Sequence, residues 1–250
     1  MPAQRKPPAT VSPVPERLRP PSVQDRIVEL VVAMDLDPGD PLPPEPELMR
    51  TLGVSRNSVR EALKGLQALG IVDVRHGYGT YVGTGALRSL APGLLFHSRL
   101  GVRRDNPRAL LDIVEVRALL ESGLIRRAAR ELNRADLDRL REELDALAAG
   151  GDEGRAGHDR RFHELLYEPL GNELALQLIA LFWDVYRQLE ADMAKPRTDH
   201  EHVVRQHGQV LDALEAGDPD GAAATIAEHF ADITDRIEQW ATARGAAEPA

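Results

Sequence analysis

Four side chains in the C-terminal half are of the types and spacing that hold a metal ion. Asp159 and His163 stand four residues apart in HDRRFHELL, so on a helix they project from one face. Phe162 and Leu166 share that face, which therefore points inward. His207 falls in register with Val203, Val210, Leu211 and Leu214, and His229 with Ile226, Phe230, Ile233 and Ile237. A single histidine on an apolar stripe is ordinarily a satisfied core residue. Three of them with an aspartate, on three inward faces, form a donor set of imidazoles and a carboxylate. That set suits zinc first, with nickel or manganese as alternatives, and leaves positions for water or a ligand oxygen. His200 is the best substitute for His207. His202 lies on a wet face beside Gln206 and Gln209, His158 points about 100° away from Asp159 on a helix of 3.6 residues per turn, and His97 is unassigned.

The elements that must position these groups are helices. Helical patterning recurs at about 87–99, 107–131, 135–148, 155–169, 172–195, 199–216 and 219–242. Breakers separate them at Asn106-Pro107, Asn133, Gly150-Gly151, Gly171-Asn172, Pro196 and Gly217-Asp218-Pro219, with Asp136 and Asp218 as expected caps. Residues 85–250 are thus expected to form an all-α antiparallel bundle of six or seven helices.

A different chemistry occupies residues 42–82, LPPEPELMRTLGVSRNSVREALKGLQALGIVDVRHGYGTYV. It reads as two short helices around a turn at Gly53, then a two-stranded hairpin. Ser55 caps the second helix, Val59, Ala62, Leu63, Leu66 and Leu69 form its inner face, and Gly70 ends it. Arg56, Asn57, Ser58, Arg60 and Lys64 occupy the outer face, the layout of a helix that enters the major groove by its N-terminal end. In the hairpin, Arg75, His76 and Gly77 sit where the backbone can approach phosphate closely. A further helix, capped by Ser22 and running to about Met34, precedes this segment. Residues 21–84 are therefore expected to be a winged helix-turn-helix, and the proline-rich residues 1–20 a disordered tail. The fold class is mainly α with one small β wing.

Composition narrows the function. Formal net charge is −9 over 250 residues, with no cysteine and 42% apolar residues. Of the 31 basic and 40 acidic residues, ten of each lie in residues 1–85, leaving 21 and 30 in the remainder. Such a chain does not coat nucleic acid indiscriminately, and specific contacts from a local basic face must carry DNA binding. No apolar run approaches the ~18 residues of a membrane span, and no signal-peptide core is visible. A cytoplasmic protein is expected.

Residues 42–82 resemble the DNA-binding domain of GntR-family bacterial transcription regulators, through the LP-x-E start, GVSR-x-S-VREAL, the L-x-x-x-G-I exit and HG-x-G-T-x-V. Residues 107–235 resemble the helical FCD ligand-binding domain of the FadR-type subfamily, through LLDIVEVRALLE, DRRFHELLYEPLGN and QHGQVLDALEAGD. The resemblance implies that Arg56 and Arg60 contact guanines or phosphates, that Ser55 and Asn57 contact phosphate or base, and that His76 and Gly77 reach the minor groove. It also implies Asp159, His163, His207 and His229 as metal ligands and Arg117 as the residue that meets a small carboxylate effector. The alternative for Arg117 is an ion pair with Glu115 or Glu121. Asn172 and Trp183 are candidate pocket residues. One departure stands out. Pro44 and Pro46 occupy positions where the family usually carries a capping serine and a DNA-contacting arginine, which removes one expected operator contact.

The expected function is a non-enzymatic, ligand-controlled regulator, a repressor, acting as a homodimer on a pseudo-palindromic operator. Two alternatives remain. One is the same regulator with an acyl-type effector and no metal. The other, remote, is a metal hydrolase built on His163-Glu164-Leu165-Leu166-Tyr167, where tyrosine replaces the second histidine of H-E-x-x-H.

Overall fold

Ser22 opens the first helix, α1 (Val23–Ala33), through a reciprocal cap. Asp25 N–H donates to Ser22 Oγ at 3.1 Å and Ser22 N–H donates to Asp25 Oδ2 at 2.8 Å. The computed structural model describes residues 21–84, 86–102, 108–192 and 200–245, so the predicted tail at 1–20 lies outside the described residues. Two compact units divide the chain, Met1–Ala86 and Leu87–Ala250.

In the first unit α1 is followed by α2 (Glu45–Leu52), α3 (Arg56–Ala68) and an antiparallel hairpin of β1 (Val72–Arg75) and β2 (Gly79–Val82). Pro44 stands at the α2 N-cap with no side-chain cap bond and Pro46 lies in the first turn, where its missing N–H costs nothing. The helix therefore survives the two prolines. Gly53 ends α2 in the left-handed region at φ 63°, and Arg26 of α1 donates to the Leu52 carbonyl at 2.6 Å, a cation on exposed helix-end carbonyls. Ser55 caps α3 by accepting from Ser58 N–H. Ile27, Leu48, Val59, Leu63, Leu66 and Val72 are buried together between the three helices and the hairpin. The strand register pairs Val72 with Val82 and Arg75 with Gly79, which places the wing turn at His76–Tyr78.

Among its described residues the second unit is built of helices joined by short turns and holds no strand. A 3₁₀ turn at Ala86–Leu90 leads into α4 (Ala91–Val102). Then follow α5 (Arg108–Glu131), α6 (Arg134–Ala149), α7 (Asp152–Tyr167), α8 (Glu173–Asp192), α9 (His200–Glu215) and α10 (Pro219–Gly245). The long α5 packs on α10 and α8, α6 on α7 and α9, and α9 on α10. Leu110, Ile125, Leu140, Phe162, Leu211 and Ile237 are among the side chains this packing removes from water.

Two local expectations need correction. Asn133, not Asp136, caps α6; its Oδ1 accepts from Ala135 and Asp136 N–H, while the Asp136 carboxylate reaches back to Asn133 N–H. Helix α7 begins at Asp152 rather than near 155, so Gly154 lies within it, and it stops at Tyr167, where a 3₁₀ turn takes over.

Candidate functional site

Helix α7 carries Asp159 and His163, α9 carries His207 and α10 carries His229. The packing brings the three imidazoles to one point. Their rings lie 4.9–5.4 Å apart between centroids, and one nitrogen from each falls within 4.8 Å of the others. All three are buried.

The outward nitrogens explain the orientation. His163 Nδ1 lies 2.6 Å from Glu121 Oε2, His207 Nδ1 lies 2.8 Å from the Val203 carbonyl, and His229 Nδ1 lies 3.2 Å from Gln206 Oε1. A carboxylate accepts only, so at His163 the proton is drawn to Nδ1 and the Nε2 lone pair faces the shared centre. His163 Nε2 is buried without a hydrogen-bond partner. His207 Nε2 stands 3.0 Å from Asp159 Oδ1, and the Trp183 indole N–H donates to Asp159 Oδ2 at 2.8 Å. Metal-ligating histidines characteristically show this arrangement, in which a second protein group fixes the other ring nitrogen. The residues fit a divalent cation held by three imidazoles and one carboxylate.

Electrostatics disfavour the charged form of two of these histidines. Burial pushes His163 below its ordinary range, against the opposing carboxylate of Glu121. Burial, then the neighbouring His207 and His163, hold His229 well below it. Burial raises the Asp159 carboxyl, but the His207 contact, with His163 and Arg117, outweighs that and holds it well below the usual carboxylate value.

Arg117, on α5, is buried and donates through Nε to Glu121 Oε1 at 2.6 Å. Its ion-pair partner is therefore Glu121, not the exposed Glu115. Yet Arg117 Nη2 remains buried without a partner, so one edge of the guanidinium is not used by the pair. Glu121 is the residue that sequence reasoning undervalues. Its place four residues after Arg117 is plain, but its contact with His163 spans 42 residues and only packing creates it. Trp183 is placed beside the centre through Asp159. Asn172 is not; it is exposed, and its Oδ1 accepts from Ala175 N–H at the start of α8. That amide oxygen is spent on a helix end.

The other histidines stay apart. His158 Nδ1 lies 2.8 Å from Glu143, His200 Nε2 is 3.3 Å from the Ala148 carbonyl, and His202 Nε2 is 3.3 Å from Asp232. Glu164 pairs with Arg160 at 2.7 Å and with Arg161 at 3.4 Å, and the Tyr167 hydroxyl donates to the Glu121 carbonyl.

On α3 the residues expected to read DNA form one outer face, with Arg56, Asn57, Arg60 and Lys64 exposed. Arg60 Nε lies 3.1 and 3.0 Å from the two carboxylate oxygens of Glu45, and Arg56 Nε lies 3.6 Å from Glu45 Oε2. Lys64 pairs with Glu61 at 2.8 Å. Ser55 and Ser58 are engaged with one another at the helix cap, their hydroxyls 2.9 Å apart. At the wing, Arg75 lies 4.1 Å over the Tyr81 ring, and His76, Gly77 and Tyr78 are exposed at the turn.

The family described as "Bacterial regulatory proteins, gntR family" matches residues 21–82 and the one described as "FCD domain" matches residues 112–232. An uncharacterized HTH-type transcriptional regulator, YcbG of Bacillus subtilis (strain 168), is 32% identical over 86% of this chain and 88% of its own length. The putative L-lactate dehydrogenase operon regulatory protein of Escherichia coli (strain K12) is 30% identical over 87% of this chain and 86% of its own. A solved structure of a Streptococcus agalactiae GntR protein shares the fold, with a TM-score of 0.65 at 24% identity over 85% of this chain and 97% of that one. Among the described residues, no helix is long and apolar enough to cross a membrane. The chain belongs to the GntR family of bacterial transcription regulators, with a winged helix-turn-helix DNA-binding domain followed by an FCD ligand-binding domain.

Proposed function

We propose that this regulator is a cytoplasmic, homodimeric repressor of a pseudo-palindromic operator, and that a small carboxylate bound at the histidine centre controls it. Residues 21–84 would read the operator, and residues 85–250 would bind the effector and dimerise. The observation that carries the reading is the orientation of the buried histidines, with their Nδ1 atoms engaged by the protein, His163 Nε2 left without a partner and His207 Nε2 3.0 Å from Asp159 Oδ1. Asp159, His163, His207 and His229 would hold the metal, with zinc first and nickel or manganese as alternatives. A metal bound there supplies Lewis-acid positions for a carboxylate oxygen. Arg117 would meet the same anion through its unpartnered Nη2. A relative that carries an L-lactate dehydrogenase operon in its name supports an organic acid as the effector class.

On DNA, Arg56, Asn57, Arg60 and Lys64 would face the major groove, with Ser55 and Ser58 at the helix end and Arg75, His76 and Gly77 on the adjoining backbone or minor groove. The effector acts by preferring the dimer geometry that fits the operator poorly; each tenfold loss of occupancy needs about 1.4 kcal/mol of differential affinity. The test uses a duplex selected in vitro from a randomised pool, with zinc-loaded and chelator-stripped protein, and with citrate, L-lactate and acetate as probes. The expected result is a tenfold or larger loss of affinity with one of these anions, confined to loaded protein. Equal response with and without metal would contradict the metal-dependent reading.

A further inference from the structure

Glu121 is, among the described residues, the one acidic side chain with no exposed surface. Each of its two carboxylate oxygens meets a basic side chain, with the Tyr167 hydroxyl close by. Oε1 accepts from Arg117 Nε at 2.6 Å, and Oε2 lies 2.6 Å from His163 Nδ1. Both partners are buried, and each presents a further polar atom that has no partner, Arg117 Nη2 and His163 Nε2.

We infer that Glu121 is a positioning residue that fixes His163 in its metal-accepting tautomer and aims Arg117, tying the metal ligand and the anion-meeting guanidinium to one buried carboxylate. The inference rests on the metal-dependent reading above. Its physical basis is the acceptor-only nature of an ionised carboxylate, which requires the His163 proton to sit on Nδ1 and leaves a lone pair on Nε2. The planar guanidinium has a fixed fork, so holding Nε sets where the Nη atoms point. An ion pair alone would need only Arg117. The second oxygen on His163 is what a merely structural pair does not explain.

Glu121→Gln separates the two roles. Its side chain keeps the shape but offers one acceptor and one donor. With the amide oxygen on Arg117 Nε, the amide N–H₂ faces His163 Nδ1 and donates to it. Nδ1 must then be the lone pair, and the ring proton moves to Nε2, where it blocks a metal. The experiment is nitrogen-15 NMR of the histidine rings in metal-free, full-length protein at pH 8, with zinc affinity measured by competition against a chromophoric chelator. Wild-type His163 is expected to carry its proton on Nδ1. Glu121→Gln is expected to move it to Nε2 and weaken zinc binding by about 10–100-fold.

A wild-type His163 protonated mainly on Nε2 would overturn the inference, even if the variant does not fold. So would zinc affinity within twofold of wild type in a folded Glu121→Gln, whatever its tautomer. Wild-type protein with the expected tautomer but no zinc affinity would also overturn it as a metal-site device, and there the underlying metal reading is what has failed. The expected tautomer and zinc binding in wild type, lost together in the variant, support both.

Discussion

Two glutamates hold the two halves of this regulator's chemistry, and they do so in opposite surroundings. Glu45 lies against Arg60 and Arg56 on the outer face of α3, the face proposed to read DNA, with side-chain exposures of 30%, 53% and 60%. Glu121 lies against Arg117 and His163 with exposures of 0%, 5% and 1%. Each carboxylate serves two partners, at 3.0 and 3.6 Å for Glu45 and at 2.6 Å for both partners of Glu121. An exposed pair of this kind is worth about 0–1 kcal/mol and is screened by salt. A buried one is strongly destabilising to break, because removing one partner leaves an uncompensated charge in a low dielectric. The Glu45 contacts are therefore ones that a phosphate could displace at little cost, whereas leaving Arg117 or His163 without the Glu121 carboxylate is costly.

The largest expected effect breaks the buried member. Glu121→Ala should lower the unfolding free energy of the protein by about 3–5 kcal/mol, read from denaturant or thermal unfolding. A loss below 1 kcal/mol would erase the contrast. On the other face, Arg60→Ala should weaken binding to a selected duplex by about 1–3 kcal/mol while leaving the thermal midpoint in place. Unchanged affinity would remove Arg60 from the interface.

A third expectation concerns acid. In metal-free protein His163 and His229 titrate below their ordinary value of 6.5, so the unfolded chain binds protons that the folded one refuses. Stability should fall as pH drops through about 6.5 toward their folded values. Asp159, held well below 3.8, contributes stability that is present above that value and lost beneath it. Both act in one direction. A metal-free unfolding midpoint that rises on going from pH 7.5 to 5.5 would contradict the sign. The smallest effect is that of Glu45→Gln, which should change stability by less than about 1 kcal/mol. It should also tighten binding to unselected duplex DNA, because it removes an anion beside Arg56 and Arg60.

Much of this architecture is legible in the amino-acid sequence, and the reason is locality. Ser22 and Ser55 announce helix starts within four residues of sequence, and apolar periodicity places, within a few residues, the seven α-helices found among the described residues of the second unit. The inward faces of His163, His207 and His229 follow from the same periodicity. What stays hidden depends on partners far apart in the chain. The Glu121–His163 and Trp183–Asp159 contacts span 42 and 24 residues, and Gln206 meets His229 only because α9 packs on α10. Asn172 misleads for the opposite reason: a loop polar group beside a helix start is taken first by that helix.

The most direct measurement is metal content per chain, by elemental analysis of untagged wild-type protein beside His207→Ala. One divalent ion per wild-type chain is expected, and its loss in the variant. No metal in the wild type, even after reconstitution with zinc, nickel and manganese, would contradict it.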